Sequence, residues 1–243
     1  MRNGHERWFA LAGLILLIET LPSCFSGAAV ERTNQIFIQD RFVEGKPQLE
    51  WAPYPYFNQD NLRGELDPSS PTGEPGIGVL DNKNAGGFAA LSYAKTQPLR
   101  DFHLETWIFV QVVQEEKGSL NGIAFRVDPA QDKFYRLAAH LTADPSLTLA
   151  YVGKDSKHFP VYLAEWKAAT LPGGAPRQSG WHRLAITVKN DEAEIFWDGS
   201  SLSGGPFPLD RSGSGYIGVY ATYTGGLGIA ETKIAGLQVS VDK

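Results

Sequence analysis

Apolar and polar residues alternate along most of the chain beyond residue 30, and stretches at helical spacing are hard to find. The clearest alternation is Phe102–Val113. Phe102, Leu104, Thr106, Ile108 and Val110 fall on one side of an extended chain, and His103, Glu105, Trp107, Phe109 and Gln111 on the other. The first set predicts a core face. Aromatic and β-branched runs predict further strands at Gly122–Val127, Phe134–Leu141, Leu147–Val152, Arg183–Val188, Ala193–Trp197, Tyr216–Tyr223 and Ile234–Val241. Weaker signals lie at Ile36–Phe42, Ile77–Leu80 and Phe88–Ala94. Turn formers separate these runs: Asp128-Pro129, Asp144-Pro145, Lys189-Asn190-Asp191 and Asp198-Gly199. Loops rich in Pro, Gly or Ser lie at Asp67–Gly76, Leu171–Gly180 and Gly199–Gly215, but strand signals continue on both sides of each, so none reads as a domain linker. Many short strands joined by tight turns predict an all-β protein with one antiparallel sandwich or barrel over residues 29–243.

Residues 1–28 break that pattern. Arg2 and Arg7 precede the apolar run Trp8–Ile18, which is too short for a helix that spans a bilayer and fits the central region of an export signal. Small residues follow, with cleavage sites after Ala28 or Ala29. A second reading uses the only cysteine: Leu21-Pro22-Ser23-Cys24 resembles a bacterial lipobox, which would make Cys24 the lipidated mature N-terminus. The expected location is outside the cytoplasm, in a bacterial periplasm, at the outer membrane or in the medium. Membrane contact is expected only through that anchor.

Composition narrows the field. The 22 Lys+Arg against 27 Asp+Glu leave a net charge of −5, which argues against nucleic acid as a partner. A single Cys excludes an internal disulfide. A hydrophobic content of 42% suffices for a packed core. Gly213-Ser214-Gly215-Tyr216-Ile217-Gly218 matches a dinucleotide fingerprint by letter, but strand-like Val219–Tyr223 follows where a helix N-terminus would be needed. There is no G-x-S-x-G elbow, Walker loop or C-x-x-C, and His103, His140, His158 and His182 show no metal-ligand spacing. No cofactor is expected. Asp81–Gly86 fails the EF-hand pattern and reads as a hairpin turn, leaving open only calcium held by backbone carbonyls.

Several short motifs resemble the concanavalin A-like lectin and glucanase superfamily. Trp181–Val188 followed by Ile195-Phe196-Trp197-Asp198-Gly199 looks like its W-H-x-hydrophobic strand and x-D-G hairpin, and Gly215–Tyr220 like the strand after it. Gly122–Arg126 with Phe134–Leu137 resembles its mid-domain hairpin, while Asp40-Arg41-Phe42 and Asp101–Glu105 resemble its opening and first central strand. At the last strand Lys233 and Ala235 stand where relatives often carry Asp. The resemblance implies a jelly roll of two antiparallel sheets with a concave face where relatives hold sugars. The group's branches include laminin G-like modules, laminarinase-type glucanases and 3-keto-disaccharide hydrolases.

The enzyme branches are only partly matched. A retaining glucanase needs two carboxylates about 5–5.5 Å apart, which a Glu-x-Asp-x-(x)-Glu strand supplies. The only Glu-x-Asp is Glu65-Leu66-Asp67, followed by Pro68-Ser69-Ser70-Pro71 and no second Glu. Leu120–Arg126 resembles the keto-disaccharide segment N-S-G-I-x-x-R without its Ser, and Tyr135-Arg136-Leu137 follows where relatives carry a Glu.

The expected function is therefore an exported module that binds a glycan or glycoconjugate, with glycoside or 3-keto-disaccharide hydrolysis as the alternative. The polar side of the 102–111 strand mixes charge with rings, and the next strands offer Arg126, Arg136 and His140. If register joins them, Glu105 meets Arg126 or Arg136 beside Trp107. The expected ligand-binding set is His103, Glu105, Trp107, Arg126, Arg136, His140 and Trp166, with Glu105 and His140 as candidate acid/base residues. Two aromatic segments, Trp51–Phe57 and His158–Trp166, read as loops able to flank a groove or pack on the sandwich edge.

Overall fold

A computed structural model describes residues 36–57, 61–83, 89–111, 118–142, 145–174, 176, 178–209, 211, 213–224 and 228–241. The export signal and Cys24 lie outside the described residues. The chain order is β1 (Ile36–Asp40), β2 (Trp51–Pro53), β3 (Arg63–Leu66), β4 (Gly76–Asp81), β5 (Ala90–Ala94), β6 (Phe102–Val110), β7 (Ser119–Asp128) and β8 (Lys133–Leu141). Then follow β9 (Ser146–Gly153), β10 (Val161–Lys167), β11 (Gly180–Lys189), β12 (Glu192–Trp197), β13 (Ser200–Ser201), β14 (Phe207–Pro208), β15 (Tyr216–Tyr223) and β16 (Glu231–Val241).

Among the described residues these strands make two antiparallel sheets. A nine-stranded sheet runs β13-β12-β11-β6-β16-β4-β3, with β1 also on β16 and β14 on β12, and a seven-stranded sheet runs β10-β9-β8-β7-β15-β5-β2. Each run expected from the sequence contains a strand among the described residues, and the arrangement is the expected two-sheet sandwich; Phe88, Val112 and Val113 lie outside the described residues. The expected hairpin turn at Asp81–Gly86 lies partly outside the described residues; β4, which ends at Asp81, and β5 belong to different sheets and do not pair as a hairpin.

The alternation of β6 explains the core. Phe102, Leu104, Thr106, Ile108 and Val110 are all buried, and the intervening residues are half-exposed. The inward faces of both sheets supply one main apolar cluster, to which Leu104, Phe125, Leu137, Leu149, Ile186, Trp197 and Val219 contribute. Asp40 locks the entry to the sandwich. Its buried carboxylate accepts from the backbone N–H groups of Phe42, Gln48 and Leu49 and from the Trp51 indole at 2.9–3.2 Å. This satisfies a buried charge that would otherwise be costly.

The two sheets differ on their outer sides. β7 and β9 are buried almost end to end. Tyr54, Leu91, Leu120, Ala124, Phe134, Ala138, Val152 and Tyr220 form a second apolar cluster there. A strand buried on both sides loses its alternation, and that is how Leu147–Val152 reads.

Candidate functional site

The face carrying Glu105 lies on the nine-stranded sheet, and its polar groups engage one another. Glu105 Oε2 accepts from Arg183 Nη2 at 2.5 Å and lies 4.0 Å from His103 Nε2, while His103 Nδ1 is 2.9 Å from Thr187 Oγ1. The Glu105 carboxylate raises Arg183 above its ordinary value. Trp107 packs with Ile77, Val79 and Ala235. Phe109 meets the edge of Trp181 at 5.4 Å, and the Trp181 indole donates to Ser69 Oγ at 3.2 Å.

The expected meeting of Glu105 with Arg126 or Arg136 does not occur, because β6 and β7 belong to opposite sheets. Arg126 leaves the alternation of its own strand. It sits where β7 is irregular against both β8 and β15, with φ 49°. Its side chain, 3% exposed, reaches Asp191 Oδ1 of the β11–β12 turn at 2.8 Å and the Arg100 carbonyl at 3.1 Å. It is a clamp between the sheets. Asp191 is held below its ordinary value, because Arg126 and Arg100 outweigh the cost of its burial. Trp166 is also inside: it is buried, donates from Nε1 to Ser203 O at 3.0 Å and meets Phe207 edge-on. Its segment is partly the edge strand β10, whose irregular pattern follows from one open side.

Arg136 occupies a different setting. It points to the outer side of the seven-stranded sheet, into a cavity of about 700 Å³. The floor comes from Leu120, Arg136, Val152 and Tyr220, and the walls from Tyr56 and Phe57 after β2, His158 and Phe159 after β9, and Tyr162 of β10. The two aromatic segments thus flank one hollow. Tyr56, Phe159 and Tyr162 are 50%, 72% and 56% exposed, an unusual density of open rings. Among the described lining residues there is no carboxylate.

Buried Asp132 pins both walls. Its Oδ1 accepts from the Tyr54 hydroxyl at 2.9 Å and its Oδ2 lies 2.6 Å from His158 Nε2. The Tyr54 hydroxyl is pushed far above the usual phenol range, first by burial and then by Asp132. His158 also stacks on Tyr56 at 6.4 Å, and Phe57 meets Phe134 edge-on. His140 stands beside this hollow, 3.1 Å from Oγ1 of the lining residue Thr224. Burial, then Lys167 and Arg136, hold it below its ordinary value. Tyr56, His158, Phe159 and Tyr162 belong to the two segments that the sequence offers as flanks of a groove, but none of them stands in the expected ligand-binding set. The missing alternation of β9, which marks a covered outer side, was the available signal.

At the other suggested ion site, Asp81 Oδ2 pairs with Arg63 at 2.7 Å and Lys83 at 3.4 Å. Among the described residues no group of three or more His, Cys, Asp or Glu is placed to hold a metal ion.

No family model matches the chain, and no curated protein matches it. Solved structures do. The carbohydrate binding module CBM66 from Bacillus subtilis is 12% identical, with 79% of this chain and 96% of that one covered and a TM-score of 0.50. The cellulose induced protein Cip1 is 15% identical, covering 83% and 96% with a TM-score of 0.53. A Bacillus licheniformis β-glucanase is 9% identical, covering 85% and 98% with a TM-score of 0.51. The likeness shows the fold, an antiparallel two-sheet jelly-roll sandwich.

Proposed function

We propose that the chain is an exported glycan-binding module and that the ligand sits in the cavity on the outer side of the seven-stranded sheet. One observation carries this reading: Tyr56, Phe159 and Tyr162 stand open around a cavity of about 700 Å³. Aromatic faces suit the C–H faces of sugars, and a concave, largely apolar site with a few polar groups is what a small ligand needs. The names of two structural neighbours, a carbohydrate binding module and a β-glucanase, agree with it. The test is retention of the purified full chain on a panel of neutral and acidic polysaccharides. Retention that weakens in Tyr162→Ala supports the reading, and no retention on any polymer refutes it.

Hydrolysis has one observation in its favour. His158 is oriented by buried Asp132 at the cavity wall, as a general base would be. A retaining mechanism needs two carboxylates on the scissile bond. The described lining residues supply none, which favours binding. Turnover of any retained polymer, abolished in His158→Gln, would reverse that order. On either reading the mass of the exported protein reports whether processing leaves Cys24 or the residue after Ala28 or Ala29 at the N-terminus.

A further inference from the structure

Among the described residues the cavity holds a buried cation without a counter-charge. Arg136 is 3% exposed, as Arg126 is, yet only Arg126 has a carboxylate partner. Among the described residues no Asp or Glu lies within ion-pair distance of the Arg136 guanidinium; its buried Nε has no hydrogen-bond partner, as Nε and Nη1 of Arg126 have none, and its side chain hydrogen-bonds the neutral Tyr220 hydroxyl. The guanidinium rests 5.2 Å from the Tyr220 ring centre and 6.0 Å from that of Tyr162. Ring faces offset the loss of water only in part, and buried guanidinium groups are ordinarily paired. The other ionisable side chain with a basic nitrogen on the lining is His158, whose Nε2 already meets Asp132.

Resting on the glycan reading above, we infer that the cavity takes a uronic acid-containing glycan, with the sugar carboxylate seated on Arg136 and its ring against Tyr162. A planar guanidinium meets a carboxylate through two parallel N–H···O bonds, a geometry that a neutral hydroxyl cannot reproduce. The buried charge then gains its partner only when the ligand arrives.

The experiment compares oligomers of galacturonate, glucuronate and alginate with their carboxyl-reduced counterparts by calorimetry on the full chain. At least one acidic oligomer is expected to bind about tenfold or more tightly than its reduced form, as a charge-assisted pair requires. Arg136→Gln is expected to erase that difference, with a Tm no lower than that of the unaltered chain. If the reduced forms, or neutral polysaccharides alone, bind as well as the acidic ones, the glycan reading stands and the uronate inference falls. If nothing binds, both fall. Should Arg136→Gln fail to fold, or melt far lower, the comparison on the unaltered chain still decides: no preference for acidic oligomers then marks Arg136 as structural.

Discussion

The outer sides of the two sheets are built on the same pleat and have opposite chemistry. On the nine-stranded sheet Glu105, Arg183, His103 and Thr187 answer one another across neighbouring strands, and the indoles of Trp107 and Trp181 rest on their own sheet. On the seven-stranded sheet Leu120, Val152 and Tyr220 floor a cavity, two aromatic segments rise beside it, and among the described residues Arg136 has no anion partner. A face whose polar groups are already paired has little left for a ligand. The mixture of charge and rings in 103–111 resembles a binding surface by residue type, but pairing decides the matter, and pairing is a property of neighbouring strands.

The sharpest way to break the contrast is to exchange the fates of the two buried arginines. Arg126→Met removes the buried arm of the clamp and leaves Asp191 with Arg100 alone, so it should lower stability in urea unfolding by clearly more than the matching change at Arg136. Arg136→Met, which strands no carboxylate, should change stability by less than about 1 kcal/mol. If the two losses are equal, the distinction between clamp and site is wrong. Next in size, Tyr162→Ala should weaken glycan binding by about tenfold in calorimetry. Its Tm should hardly move, since the ring is 56% exposed. A smaller effect is expected on the opposite side. Glu105→Gln should leave binding unchanged and shift stability by under about 1 kcal/mol, the scale of a solvent-screened pair with Arg183.

The smallest effect is a pH dependence. His140 is depressed in the folded chain, so the unfolded chain binds its proton more tightly. Its contribution is intact above the ordinary value of 6.5 and declines as pH falls from there toward the folded value. Denaturant titrations at several pH values should show that decline, and His140→Gln should flatten it.

The strands were legible because each signal is local. β6 alternates through its whole length, and its buried and half-exposed residues fall as its letters do. The edge strand β10 was harder, because it has one open side and packs Trp166 inward while leaving Tyr162 out. Arg126 defeats alternation for another reason. An irregularity against both neighbours inserts a left-handed residue, and the side chain leaves the face that counting by two assigns to it. The cavity was legible only in parts. Tyr56, Arg136 and the pair His158 and Tyr162 come from three separate places in the chain, and no rule of spacing says that β2, β8 and β10 share a sheet. The separation of Glu105 from Arg136 has the same origin, since sheet membership is set by pairings between distant segments.

A positive charge with no carboxylate among the described lining residues of its pocket, in a chain of net charge −5, also bears on the kinetics of encounter. At long range such a molecule repels a polyanion, and at contact it attracts one. Salt screens the first far more than the second, because a buried charge is shielded from the ion atmosphere. Added salt should therefore speed the arrival of an acidic polymer while leaving its departure almost unchanged, the reverse of the behaviour of a basic surface patch. The pocket would act as a slow gate with a long residence time, suited to holding a polymer in place.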